Sequence, residues 1–139
     1  MSKLLIVDDS VALLEVMKNI LERNGYTVKT LIRSDNIYKE INEFQPDLLI
    51  LDPYLDGKDG REICKELRRS VESKHLGVLV FSAFPKTLEN YKSYYADDFI
   101  EKPFDLQILL EKIKSLLHWT SIRKKAFEFN SPPAISPKK

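Results

Sequence analysis

Two aspartates close the first apolar run of the chain, in KLLIVDDS at residues 3–10. Two carboxylates about 4 Å apart repel by roughly 4 kcal/mol at an effective dielectric near 20. Either a cation neutralises Asp8 and Asp9 or their pKa values rise. Three further reactive side chains also end apolar runs: Asp52 in DLLILD, Ser82 in VLVFSA and Lys102 in DDFIEK. Brought together, the three acids and one ammonium carry a net charge near −2. All-oxygen donors suit Mg²⁺, with Mn²⁺ as a substitute. His75 and His118 stand away from these run ends, which argues against zinc. A hard cation beside a carboxylate, a lysine and a hydroxyl points to phosphoryl transfer, with metal and lysine screening the phosphate while a carboxylate attacks in line. Asp52, alone at the end of its run, is the candidate nucleophile, and Asp8 and Asp9 are the candidate metal ligands. Each residue also has a plainer role. Asp9 or Ser10 suits a helix cap, Asp52 the turn into DGKDG, Ser82 another cap, and Lys102 a surface position before proline. Four such coincidences at one place favour the chemical reading.

Residues at the ends of separate runs meet only if those runs lie parallel and finish at one edge, and the order of elements provides this. KLLIVD suits a strand buried on both faces. SVALLEVMKNILERNG follows with Leu13, Met17, Ile20 and Leu21 at helical spacing, Ser10 at its start and Gly25 at its end. YTVKTLI reads as a second strand, and SDNIYKEINEF as a helix capped by Ser34 with Ile37, Ile41 and Phe44 on one face. DLLILD is a third strand, and DGREICKELRRSVES a third helix entered through a turn containing Gly57 and Gly60. LGVLVFS gives a fourth strand. PKTLENYKSYYA predicts a less regular helix with Leu88, Tyr91 and Tyr95 on one side, and DDFIEK a short fifth strand. DLQILLEKIKSLLHW is the clearest helix, with Leu106, Leu109, Leu110, Ile113, Leu116 and Leu117 in period. Strands alternating with helices predict an α/β fold, a three-layer doubly wound parallel sheet of five strands. Such sheets bind ligands at their carboxyl edge, where all five runs end.

Bulk composition narrows the function classes. A net charge of +1 over 139 residues gives no global field to attract nucleic acid or an anionic membrane. The single Cys64 excludes an internal disulfide and a multi-cysteine zinc site, and reads as a small buried residue. No apolar run approaches membrane-spanning length and no leader pattern opens the chain, so a cytoplasmic protein is expected. Residues 1–120 are expected to form one domain. Residues 121–139, SIRKKAFEFNSPPAISPKK, read as a basic, proline-containing tail or linker, extended or disordered from Asn130, with Arg123, Lys124 and Lys125 forming a solvated helix end.

The motifs LLIVDDS, LLILDPYLDGKDG, VLVFSA and DDFIEKPF resemble, in order and spacing, the receiver domain of two-component response regulators across roughly residues 1–120. The resemblance implies a flavodoxin-like strand order, 2-1-3-4-5. It implies that Asp52 accepts a phosphoryl group from a phosphohistidine on a sensor histidine kinase or a histidine phosphotransfer protein, in a Mg²⁺-dependent reaction. The chain would then be a signalling switch, not an enzyme beyond its self-catalysed phosphorylation and dephosphorylation. Asp8, Asp9, Asp52 and the backbone carbonyl of Tyr54 would hold the metal. Lys102 would contact one phosphate oxygen, and Ser82 would swing in to bond another. Phe99 matches the family's aromatic switch position. Its rotation would alter the face of the fourth helix, fifth strand and fifth helix, a surface for a downstream protein or a homodimer. The Lys102–Pro103 bond would be cis, and proline keeps Lys102 extended.

Departures from the family pattern bear on the site. Leu55-Asp56 replaces the frequent Met-Pro or Leu-Pro pair and adds an acid near the metal. Tyr54 is bulky enough to shield an acyl phosphate from water. Ser82 replaces the commoner threonine, and Phe99 lacks the hydroxyl of the commoner tyrosine. Competing readings are the receiver portion of a longer regulator, a metal-dependent aspartyl phosphatase and a constitutive interaction module. The phosphatase reading expects an Asp-x-Asp signature, whereas Asp8 and Asp9 are adjacent. A flavin site fails because no Ser/Thr/Gly-rich phosphate loop follows the first strand.

Overall fold

A computed structural model describes residues 1–55, 58–84, 86 and 89–130. The apolar runs form β1 (Lys3–Val7), β2 (Thr27–Leu31), β3 (Leu48–Leu51), β6 (Gly77–Ser82) and β7 (Asp98–Glu101). They pair in parallel in the order β2-β1-β3-β6-β7, which is the expected doubly wound order when the sheet strands alone are counted. A two-residue antiparallel hairpin, β4 (Tyr54–Leu55) with β5 (Lys58–Asp59), lies directly after β3. The sequence reading has no strand there, because two-residue strands carry no periodicity.

Period-two alternation divides the core between the two sheet faces. Leu5, Val7, Leu49, Leu51, Val78 and Val80 pack against Ile37 of α2 (Ile37–Phe44) and against Ile63, Cys64 and Leu67 of α3 (Gly60–Arg69). Leu4, Ile6, Leu48, Ile50, Leu79 and Phe81 face the other way. They meet Leu14, Met17 and Leu21 of α1 (Val11–Arg23) and Leu109, Ile113 and Leu116 of α4 (Leu106–Asn130). Cys64 is fully buried, and burial pushes its thiol pKa up to about 12, so it acts as a small apolar side chain.

Local signals set most helix ends. Ser10 Oγ accepts from the Leu13 amide at 3.2 Å, and Gly25, at φ +92°, follows α1. The second helix differs from expectation. Its cap position is Asn36, without a side-chain cap bond, because Ser34 is buried and its carbonyl accepts from Ile37 in a preceding turn. In the expected fourth helix, Pro85, Thr87 and Leu88 lie outside the described residues. Its described end is a 3-10 turn, Tyr91–Tyr94, closed by Tyr95 at φ 69°. With three residues per turn, Tyr91 and Tyr94 share the inner side, and Tyr95, expected there, is exposed.

The last helix runs unbroken through residue 120 to Asn130. Arg123 is not the solvated helix end that was expected. It donates to Asp97 Oδ1 at 2.7 Å and to the carbonyls of His75 and Leu76. Arg68 reaches the same Asp97 at 2.9 Å. Gly77 permits this close approach, since a Cβ there would stand 2.3 Å from Thr120 Cγ2. Proline-rich residues 131–139 lie outside the described set.

Candidate functional site

Parallel pairing sets Val7 opposite Leu51, and Leu51 opposite Val80, so the residues that follow β1 and β3 emerge together. Asp8 and Asp52 are both buried, as is Ser82 at the end of β6. Lys102, directly after β7, brings the two acids together. Its Nζ donates to Asp8 Oδ2 at 2.5 Å and to Asp52 Oδ2 at 2.9 Å. The ammonium also lies 4.5 Å from the Phe81 ring centroid, a contact with the ring face that sequence spacing does not reveal. The Lys102–Pro103 bond is cis.

The remaining carboxylate oxygens have backbone partners. Asp8 Oδ1 accepts from the Ser10 amide at 2.8 Å, and Asp52 Oδ1 from the Tyr54 amide at 2.8 Å. Burial raises the Asp52 pKa above the ordinary carboxylate range, against the bonds from Lys102 and Tyr54, and the Asp8 charge adds to the rise. Burial pulls the Lys102 ammonium down, but its bonds to Asp8 and Asp52 outweigh that, and its pKa is raised. The two rises differ in origin: burial drives that of Asp52, and the two acid partners drive that of Lys102.

Asp9 is exposed at the lip of the site, beside the buried Asp8. Among the described residues no group of three or more His, Cys, Asp or Glu side chains is disposed to hold a metal ion. Lys102 instead takes the place between Asp8 and Asp52. The donors nevertheless fit a hard divalent cation in kind, being carboxylate oxygens with an exposed acid adjacent. Asp56, the additional acid of the sequence, lies outside the described residues.

Ser82 Oγ accepts from the Phe84 amide at 3.0 Å. The Phe84 ring meets the Tyr54 ring edge-on, with centroids 5.2 Å apart at 77°. Phe99 is 37% exposed, its ring 5.1 Å from that of Tyr91 and 5.3 Å from Lys112 Nζ. Lys112 also pairs with Asp98 at 3.1 Å, linking the last helix to β7 beside this aromatic position.

Gly60 fits the end of β3 to α3. A Cβ there would stand 2.8 Å from Pro53 Cα and 3.2 Å from the Asp52 carbonyl, while the Gly60 amide donates to Pro53 at 2.8 Å. The sequence placed Gly60 in a turn, and its contact with the Asp52–Pro53 backbone emerges only in three dimensions.

The sequence profile of the response regulator receiver domain matches residues 4–114. The phosphate regulon transcriptional regulatory protein PhoB of Rhizobium meliloti is 34% identical over 117 residues, covering 83% of this chain and 52% of that protein. A response regulator structure from Chloroflexus aurantiacus superposes with TM-score 0.79 at 30% identity, covering 84% of this chain and 98% of the other. The Mg²⁺-BeF complex of the response regulator TrrA from Thermotoga maritima superposes at 0.75 with 29% identity, covering 84% and 99%. The chain spans about half the length of the curated relatives it matches.

Proposed function

Because the chain belongs to the response regulator receiver domain family, a family of phosphoacceptor signalling modules, we propose that Asp52 is its acceptor residue. The carrying observation is the buried ammonium of Lys102 bonded at once to Asp8 and Asp52. In the proposed reaction an Asp52 carboxylate oxygen attacks the phosphorus of a phosphohistidine. The new O–P bond forms as the N–P bond breaks, and with the other ring nitrogen of the phosphohistidine carrying a proton the donor leaves as a neutral imidazole, with an acyl phosphate on this chain. A histidine kinase or a histidine phosphotransfer protein is the donor. Mg²⁺, held by Asp8, Asp9, Asp52 and the Tyr54 carbonyl, would supply charge neutralisation for the incoming phosphate. Lys102 then exchanges a carboxylate oxygen for a phosphoryl oxygen, and Ser82 donates its hydroxyl to another. Phe99, half out of the surface beside Tyr91 and Lys112, reports the change to a downstream protein or a second copy. Self-catalysed phosphorylation and dephosphorylation are the chain's only chemistry in this reading, carried out in the cytoplasm.

Residues 1–120 are taken as the receiver, and residues 121–139 as the connection to whatever the switch controls. That the relatives are about twice as long favours a second form of the same reading, a receiver that works as part of a larger regulator.

Incubation with Mg²⁺ and acetyl phosphate should add one phosphoryl mass, absent in Asp52→Asn and in Asp9→Ala. Asp9 is exposed, so Asp9→Ala should leave stability within about 0.5 kcal/mol of the parent. No added mass under conditions that label a control receiver would refute the acceptor assignment, and normal labelling of Asp9→Ala would refute the metal assignment.

A further inference from the structure

Two large aromatic side chains lie open at the rim of the site. Tyr54 is 52% exposed and Phe84 is 60% exposed, yet their rings touch edge-to-face. Each follows a site residue by two positions and is tied to it through its own backbone. The Tyr54 amide donates to Asp52 Oδ1, and the Phe84 amide donates to Ser82 Oγ, at 2.8 and 3.0 Å. The ring contact therefore closes a bracket whose two feet are the carboxylate and the hydroxyl.

The geometry points to Tyr54 and Phe84 as a latch on Ser82, a pair of positioning residues that sets how readily the hydroxyl turns toward a phosphoryl group on Asp52. The inference rests on the acceptor reading above and adds the regulation of that site. Ser82 is fully buried, so its hydroxyl changes direction by rotation about χ1 and not by displacement into solvent. That rotation breaks the bond from the Phe84 amide unless the backbone at Ala83–Phe84 follows. The backbone is held back by the Phe84 ring against Tyr54. Tyr54 in turn is braced by its amide bond to Asp52 and by the pairing of β4 with β5. Losing the ring contact lowers the barrier to following and favours the switched form. An aromatic pair of this geometry is worth roughly 2- to 10-fold in an equilibrium, with exposure placing this one toward the lower end.

Two measurements separate the latch from the acceptor reading. In the metal-free chain, hydrogen exchange at the Phe84 amide should quicken about 2- to 10-fold in Tyr54→Ala, and stay at the parent rate in Tyr54→Phe, which keeps the ring. With excess Mg²⁺, calorimetric titration of beryllofluoride should show tighter binding by a similar factor in Tyr54→Ala and in Phe84→Ala. The double variant should gain no more than either single one, and Tyr54→Phe should match the parent. Both positions are exposed, so the substitutions leave the core untouched. Unchanged exchange in Tyr54→Ala, additive gains in the double variant, or weaker binding in the single ones would overturn the latch. Unchanged beryllofluoride affinity of the alanine variants would do the same. If the parent fails to bind beryllofluoride while exchange responds as expected, the acceptor reading falls, and with it the switching role of the latch.

Discussion

Lys102→Met tests whether the site is a charge-compensated unit. The substitution keeps most of the aliphatic stem and removes the ammonium that joins Asp8 Oδ2 and Asp52 Oδ2. The Asp8 side chain is 1% exposed and that of Asp52 12%, so water cannot replace the lost partner fully. Two carboxylates about 5 Å apart repel by roughly 3 kcal/mol at an effective dielectric near 20. Breaking a buried ion pair by deleting one member costs about 3–5 kcal/mol. Both routes give a loss of about 3 kcal/mol at pH 7. For a urea slope near 1.5 kcal/mol per M, the unfolding midpoint should fall by roughly 2 M. The deficit should shrink as pH falls. Burial already raises the folded pKa of Asp52 above its unfolded value, and without Lys102 it rises further. A raised acid contributes stability that is full below its unfolded pKa and is lost as pH rises through its folded pKa. Urea titrations at pH 7 and pH 5 should therefore converge toward the parent at the lower pH. Added Mg²⁺ should also restore more stability to Lys102→Met than to the parent, since no ammonium competes for the oxygens. A midpoint at pH 7 within experimental scatter of the parent would refute the compensation argument.

The remaining predictions concern neighbouring supports. Gly60→Ala should destabilise by about 1–3 kcal/mol and slow acetyl-phosphate labelling, because its Cβ would meet Pro53 Cα at 2.8 Å, next to the proposed acceptor Asp52. Chemical denaturation and timed mass spectrometry read the two effects. Asp97→Ala should cost about 3 kcal/mol in urea unfolding, since it removes the carboxylate that neutralises Arg68 and Arg123 and accepts from the Val78 amide. Amide exchange over residues 121–130 should quicken in the same variant, because Arg123 loses the anchor that holds the end of the last helix.

Much of the architecture was legible because its causes are local. The apolar runs at Leu4–Val7, Leu48–Leu51 and Val78–Phe81 are buried on both faces, and continuous hydrophobicity of that length suits a parallel strand covered by helices on each side. Ser10 caps α1 through its own hydroxyl, which proximity in sequence predicts. Ser34 does not cap α2 as its sequence position suggests, because its burial, and the turn it makes with Ile37, come from packing that propensity does not register. Tyr95 faces away from the side that α-helical spacing gives it, because α and 3-10 turns place side chains at different periods, and the left-handed residue that ends the turn is a tertiary outcome.

For the site, the sequence alone determined which groups end each strand, since strand boundaries follow from short-range hydrophobic pattern, and hence which acids, hydroxyl and lysine share one edge. Only the tertiary structure decided how their charges are balanced. Lys102 stands 94 residues from Asp8 and 50 from Asp52 in the chain, yet one nitrogen is bonded to both. The same holds for Arg123 on Asp97, 26 residues apart, and for the Tyr54 and Phe84 rings. Electrostatic pairing and ring packing depend on ångström-scale separations between distant segments, whereas periodicity and capping depend on neighbours along the chain.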